Sequence, residues 1–262
     1  MSAVVIGDGL VHYEVIGRGR PVVFIHGWLG SWRYWVPTME DVSVMRHRTY
    51  ALDLWGFGDS DKSGNRYTID AYVELLRGFL EKLGVMHPTV VGHALGGVVA
   101  LKFAAENQDR VDQVMGVSVP LIGEAVNRPL ANFSGDKDAL TKLAARRARF
   151  AEVEMELNKT DVSAVTRSMQ SALGSDLRSV LPPLNIPTLL VYGGSDALIK
   201  PPEPEWLRFC NDNVRAISLD GAQHFPMLEE RNKFNRLLKD FLDAGQDLTS
   251  LELKEEWHRR LR

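Results

Sequence analysis

The sequence predicts an α/β fold: a mostly parallel central sheet flanked by helices, with a helical cap inserted between two core strands. Three observations carry this expectation. Short apolar runs alternate with segments of helical periodicity along most of the chain, the pattern of strand–helix–strand units. Several of the runs end in glycine-rich turns. One interval, from Leu121 to about Leu181, holds no convincing strand and breaks the rhythm.

The elements follow in order. Val11 to Ile16 alternates as a strand does, and Gly17 to Arg20 supplies a turn. Pro21 to Ile25 is a short apolar run of the kind buried on both faces of a parallel sheet. Thr49 to Leu54 reads as another strand. Ile69 to Leu83 has helical spacing of apolar residues, and Gly84 ends it. Thr89 to Val91 is a strand and Leu95 to Asn107 a helix. Val114 to Val119, Thr188 to Tyr192 and Val214 to Leu219 are further strands, and Lys233 to Leu242 is a helix.

Between them, Asp138 to Leu157 is rich in Ala, Arg, Glu and Leu, and Pro182, Pro183 and Pro187 mark the return to the sheet. The expected organisation is a core of residues 1–120 and 182–244, a helical cap over 121–181, and a C-terminal tail helix over 245–262. The tail spaces Leu248, Leu251, Leu253 and Trp257 loosely for one packed face. Arg146, Arg147 and Arg149 read as a solvated face of a cap helix.

Composition narrows the function class. The 262 residues are 45% hydrophobic and 25% charged, with a net charge of −3, the profile of a soluble globular protein. That balance argues against a nucleic-acid partner. A single cysteine, Cys210, excludes an internal disulfide framework and fits a reducing, cytoplasmic compartment. No Cys/His cluster suggests a metal, and no cofactor is expected. Met1 to Leu10 lacks the pattern of a signal peptide, and no run approaches the length of a membrane helix.

The chemistry centres on Val90-Val91-Gly92-His93-Ala94-Leu95-Gly96-Gly97. A strand here turns sharply into a helix, which holds the apex residue out above the sheet. Small residues on either side let the backbones pass. This is the G-x-S-x-G nucleophile elbow with Ala94 where a serine is expected. Three further pieces accompany it. His26-Gly27-Trp28 follows the early buried strand, so the amides of Trp28 and Leu95 are candidate oxyanion donors. Leu189 to Asp196 is a buried strand ending in Gly-Gly-Ser-Asp, which puts Asp196 on the rim where α/β ligands bind. Gly221 to Pro226 follows the last strand and puts His224 on the same rim. Each piece alone has a plain structural explanation; their order, nucleophile position then acid then histidine, is specific.

On these residues, together with Asp53-Leu54-Trp55-Gly56-Phe57-Gly58-Asp59-Ser60, the chain resembles the α/β-hydrolases of the esterase, lipase and carbon–carbon-bond hydrolase type. The resemblance covers about residues 10–243. It implies Asp196 as the acid, His224 as the base, Trp28 and Leu95 as oxyanion donors, and a small-molecule ester or other acyl substrate. With a serine at position 94, His224 would take the hydroxyl proton as the oxygen attacks a carbonyl, and Asp196 would hold the imidazole tautomer. Alanine has no lone pair and no acidic proton, so this chain is expected to be nearly inactive.

Alanine is a near-isosteric deletion of serine in an otherwise complete site, a pattern that favours an engineered change over natural absence. Related families carry aspartate at this position, with cap tyrosines or a tryptophan beside the nucleophile. Here residue 95 is Leu, and residues 121–181 hold neither Tyr nor Trp, so serine is the better restoration. Two other readings keep Ala94 as natural: a cofactor-independent oxygenase or lyase using the His–Asp pair as base, and a non-catalytic ligand receptor. The aromatic cluster Trp28, Trp32, Tyr34 and Trp35 is expected both to line the pocket and to pack its loop, with Trp28 nearest the chemistry.

Overall fold

The computed structural model describes residues 2–28, 30–62, 66–133, 135–136, 138–139, 141–142, 150–248 and 251. Eight strands form one sheet in the order β1-β2-β4-β3-β5-β6-β7-β8. They are β1 (Ser2–Ile6), β2 (Gly9–Gly17), β3 (Arg20–Ile25), β4 (His47–Leu52), β5 (Thr89–His93), β6 (Gln113–Val117), β7 (Thr188–Gly193) and β8 (Val214–Leu219). The first two strands pair antiparallel, β2 pairs antiparallel with β4, and every pair from β4 to β8 is parallel. The carboxyl ends of the parallel strands therefore share one rim, where Ala94, Asp196 and His224 all follow strands or their loops.

The longer helices are α1 (Val36–Ser43), α2 (Ile69–Leu83), α3 (Leu95–Glu106), α4 (Ala151–Leu157), α5 (Val162–Leu173) and α6 (Arg231–Ala244). The start of α2 is set by Thr68, whose hydroxyl accepts the Ala71 amide. Its end is set by Gly84 at φ 62°, a left-handed position that favours glycine. The central strands are apolar on both faces, as a doubly covered parallel sheet requires: Val22, Val23, Phe24 and Ile25 are all fully buried.

Several boundaries differ from the sequence reading. The edge strand β1 and helix α1 have no counterpart in it. The predicted strand over Val114 to Val119 ends at Val117, because Ser118 adopts φ 47° and turns the chain. The predicted tail helix does not begin at residue 245. Gly245, at φ 58°, ends α6, and Leu248 and Leu251 are buried against the body. The remainder of that tail, like Arg146, Arg147 and Arg149, lies outside the described residues.

The described residues between β6 and β7 include helices α4 and α5, and among their contacts with the core are the following. Trp28 donates its indole N–H to Ser168 Oγ on α5 at 3.0 Å. Glu156 on α4, 1% exposed, accepts from Arg33 Nε at 2.7 Å, while Lys159 meets Asp59 at 2.7 Å. Arg33→Ala strips the buried Glu156 carboxylate of its shortest partner. Stability is expected to fall by about 2 kcal/mol, read as a lower urea midpoint. Removing the carboxylate as well, with Glu156→Leu, should restore part of the loss.

Candidate active site

The elbow is built by close backbone passage. A Cβ on Gly92 would lie 2.2 Å from the Gly96 carbonyl oxygen, and one on Gly96 would lie 2.4 Å from that of Ile25. Neither clash can be relieved by a side-chain movement. Gly96→Ala is therefore expected to cost about 3 kcal/mol, measurable as a drop in the denaturation midpoint. Between the two glycines, Ala94 sits at φ 46°, ψ −108° and is fully buried. A non-glycine residue in such a region costs on the order of 1–3 kcal/mol and persists only where its surroundings enforce it. Here they do: the Ala94 amide donates to the Val117 carbonyl at 2.8 Å, and its own carbonyl accepts from the Val98 amide at 3.1 Å.

Of the two expected oxyanion donors, Leu95 follows this residue directly, and Trp28 follows Gly27, on which a Cβ would lie 3.0 Å from that of Ala94. Within the described loops and turns, the amides of Trp28 and Leu95 donate to no backbone acceptor. The loop carrying Trp28 is anchored by His26. Its Nδ1–H donates to the Gly27 carbonyl at 2.8 Å, and its Nε2 accepts the Leu54 amide at 3.0 Å. Burial pushes the His26 pKa down, against the attraction of Asp53, which favours the neutral ring that this pattern requires.

Asp196 and His224 come together from the ends of β7 and β8. His224 Nδ1 lies 3.0 Å from Asp196 Oδ2. The other Asp196 oxygen accepts the amides of Leu198 (2.8 Å) and Ile199 (3.1 Å). Burial opposes ionisation of Asp196. The His224 charge and hydrogen bond, with the two amides, outweigh it and bring the pKa down to about 2. His224 Nε2 makes no hydrogen bond among the described residues.

Sequence reasoning missed the groups that hold His224. Glu229 Oε2 accepts the amides of the residues on either side of it, from Gln223 at 2.5 Å and Phe225 at 3.2 Å. His93 Nε2 lies 2.8 Å from the His224 carbonyl, and the two rings are 4.7 Å apart. Of the aromatic cluster, Tyr34 and Trp35 are buried in the core, whereas Trp32 is half-buried. Ser118, just past the end of β6, is buried with its hydroxyl unpartnered; nothing in the sequence marks it.

One group among the described residues has the composition of a metal site: ligand atoms of His12, Asp53 and Asp59 lie within 4.8 Å of one another. Asp53 is already committed to the amides of Trp32 and Asp59. Lys159 and Arg33 place positive charge on Asp59 at 2.7 and 3.5 Å. The donor set fits an ion-pair network better than a cation. No described helix is long and apolar enough to cross a membrane.

The sequence profile of the alpha/beta hydrolase fold matches residues 20–164, more than half of the chain. This chain belongs to the alpha/beta hydrolase fold family. Its relatives include the AB hydrolase superfamily protein YisY of Bacillus subtilis, 23% identical over 88% of this chain and 94% of that protein. They also include the pimeloyl-[acyl-carrier protein] methyl ester esterase of Aliivibrio fischeri, 23% identical over 89% and 97%. Among solved structures, the enol-lactonase from Burkholderia xenovorans superimposes with a TM-score of 0.81 at 20% identity, covering 92% of this chain and 100% of that one. The eight-stranded, mostly parallel sheet flanked by helices is thus that of an alpha/beta hydrolase.

Proposed function

We propose that this alpha/beta hydrolase is the framework of a serine-type hydrolase of ester or related acyl bonds that lacks only its nucleophile. One observation carries the reading: Ala94 keeps the strained backbone of an elbow, although a methyl side chain draws no benefit from being held there. Around it, His224 and Asp196 take the roles of base and acid. The amides of Trp28 and Leu95 are the oxyanion donors, and residues 121–181 act as the cap. The near-isosteric replacement in an otherwise whole site favours a serine removed over a serine never present.

The chemistry follows from the geometry. Asp196 holds His224 Nδ1–H, which leaves Nε2 as the acceptor for the elbow. A hydroxyl at position 94 would give its proton to Nε2 while attacking a carbonyl, and the two amides would meet the developing oxyanion. With Ala94 no acyl-enzyme forms. The test is p-nitrophenyl ester hydrolysis by Ala94→Ser beside the unaltered chain: turnover confined to the serine form supports the reading, and turnover by neither removes it.

A second reading rests on the uncommitted His224 Nε2. An acid-paired imidazole can take a proton from a bound carbon acid without any nucleophile. In that case the Ala94 chain itself turns over such a substrate, and His224→Ala abolishes it.

A further inference from the structure

Four groups that the proposed reaction does not use are joined in a directional chain. The Gly27 amide donates to Tyr34 Oη at 2.6 Å. The Tyr34 oxygen lies 2.9 Å from His93 Nδ1, and His93 Nε2 lies 2.8 Å from the His224 carbonyl. Every partner is buried, with Tyr34 and His93 each 1% exposed.

The directions follow from the ends. Gly27 N–H can only donate, and the His224 carbonyl can only accept. Tyr34 therefore spends its own proton on His93 Nδ1, and His93 carries its ring proton on Nε2. With a neutral His93 ring, reversing any one link would face two donors or two acceptors. Burial, reinforced by the charge of His224, holds the His93 pKa well below the usual histidine range. Burial also holds the Tyr34 hydroxyl well above its ordinary value. Both shifts favour the neutral groups that this chain of donors and acceptors requires.

The two ends are the two parts of the site that must keep register. Gly27 precedes Trp28, whose amide is one oxyanion donor. His224 is the base, on a loop from the far side of the sheet order. We propose that Tyr34 and His93 are positioning residues, a one-way hydrogen-bond relay that locks the oxyanion-donor segment and the base loop into one rigid unit. The catalytic consequence rests on the serine-hydrolase reading; the relay itself does not.

The test has two arms for that reason. In the unaltered Ala94 chain, ¹⁵N NMR of the imidazoles should show His93 as the neutral Nε2–H tautomer across the neutral pH range. Tyr34→Phe should speed hydrogen exchange of the Gly27 amide by about tenfold or more, since its acceptor is gone. An Nδ1–H tautomer, an imidazolium in that range, or unchanged exchange would overturn the relay.

In the Ala94→Ser background, His93→Leu should lower kcat by about 100-fold with little change in KM, the scale of a displaced catalytic group. His93→Gln should recover most of it, because its amide offers both an acceptor and a donor. Equal kcat in Ala94→Ser with and without His93→Leu would overturn the positioning role. If Ala94→Ser itself is inert, the hydrolase reading fails, while the NMR and exchange arm still decides the relay.

Discussion

Ala94→Ser is expected to create ester hydrolysis where the present chain has almost none, by about a million-fold in kcat, the scale of losing that serine in a serine protease. The gain is this large because, on the proposed reading, only the nucleophile is missing. The elbow backbone at Ala94 already has φ 46°. His224 is already oriented by Asp196 at 3.0 Å, and its loop is fastened by Glu229 and His93. The added hydroxyl enters a buried position, and on the proposed reading His224 Nε2 is its partner, so the fold should hardly notice the change. Stopped-flow release of p-nitrophenolate should show an acylation burst in the serine form.

Asp196→Asn in that serine background is the second large effect. Asparagine would offer the His224 ring an amide that cannot stabilise imidazolium and favours the wrong tautomer. A loss of about 10⁴-fold in kcat is expected, measured with the same ester and without unfolding. The same carboxylate governs acid stability. Its folded pKa of about 2 is below the ordinary value of 3.8. The group therefore stabilises the fold above about pH 4, and that contribution is lost as pH falls toward 2. The contribution is about 2 kcal/mol. Urea midpoints of Asp196→Asn and the parent should converge as the pH is lowered through this window.

Much of this was legible in the sequence for identifiable reasons. The parallel core announces itself because strands buried on both faces read as unbroken apolar runs, as Val22 to Ile25 does. The elbow is legible because close backbone passage demands glycine at 92 and 96, whatever residue sits between. Strand β1 is hard to read because it lies at the sheet edge. Ala3 and Val5 face solvent while Ser2 and Val4 are half-buried, so five residues give too short and mixed a pattern to stand out. Helix α1 is hard to read because Trp35 and Pro37 head it and only Thr38, Met39 and Val42 are buried.

The supports of His224 had no sequence signal at all. Tyr34, His93 and His224 are far apart in the chain and meet only when β5, the loop after β8 and the segment after β3 converge on one rim. Motifs record local backbone demands well; they do not record hydrogen bonds between loops that only the finished sheet brings together.

On the proposed reading, position 94 is a nucleophile site in all but its side chain. The most direct measurement is mass spectrometry after exposure of Ala94→Ser and the parent to a fluorophosphonate, which reacts with activated serines. One stoichiometric adduct is expected on the peptide carrying residue 94 of the serine form, and none on the parent. A folded Ala94→Ser that takes up no adduct, or an adduct on the parent at Ser118, would contradict it.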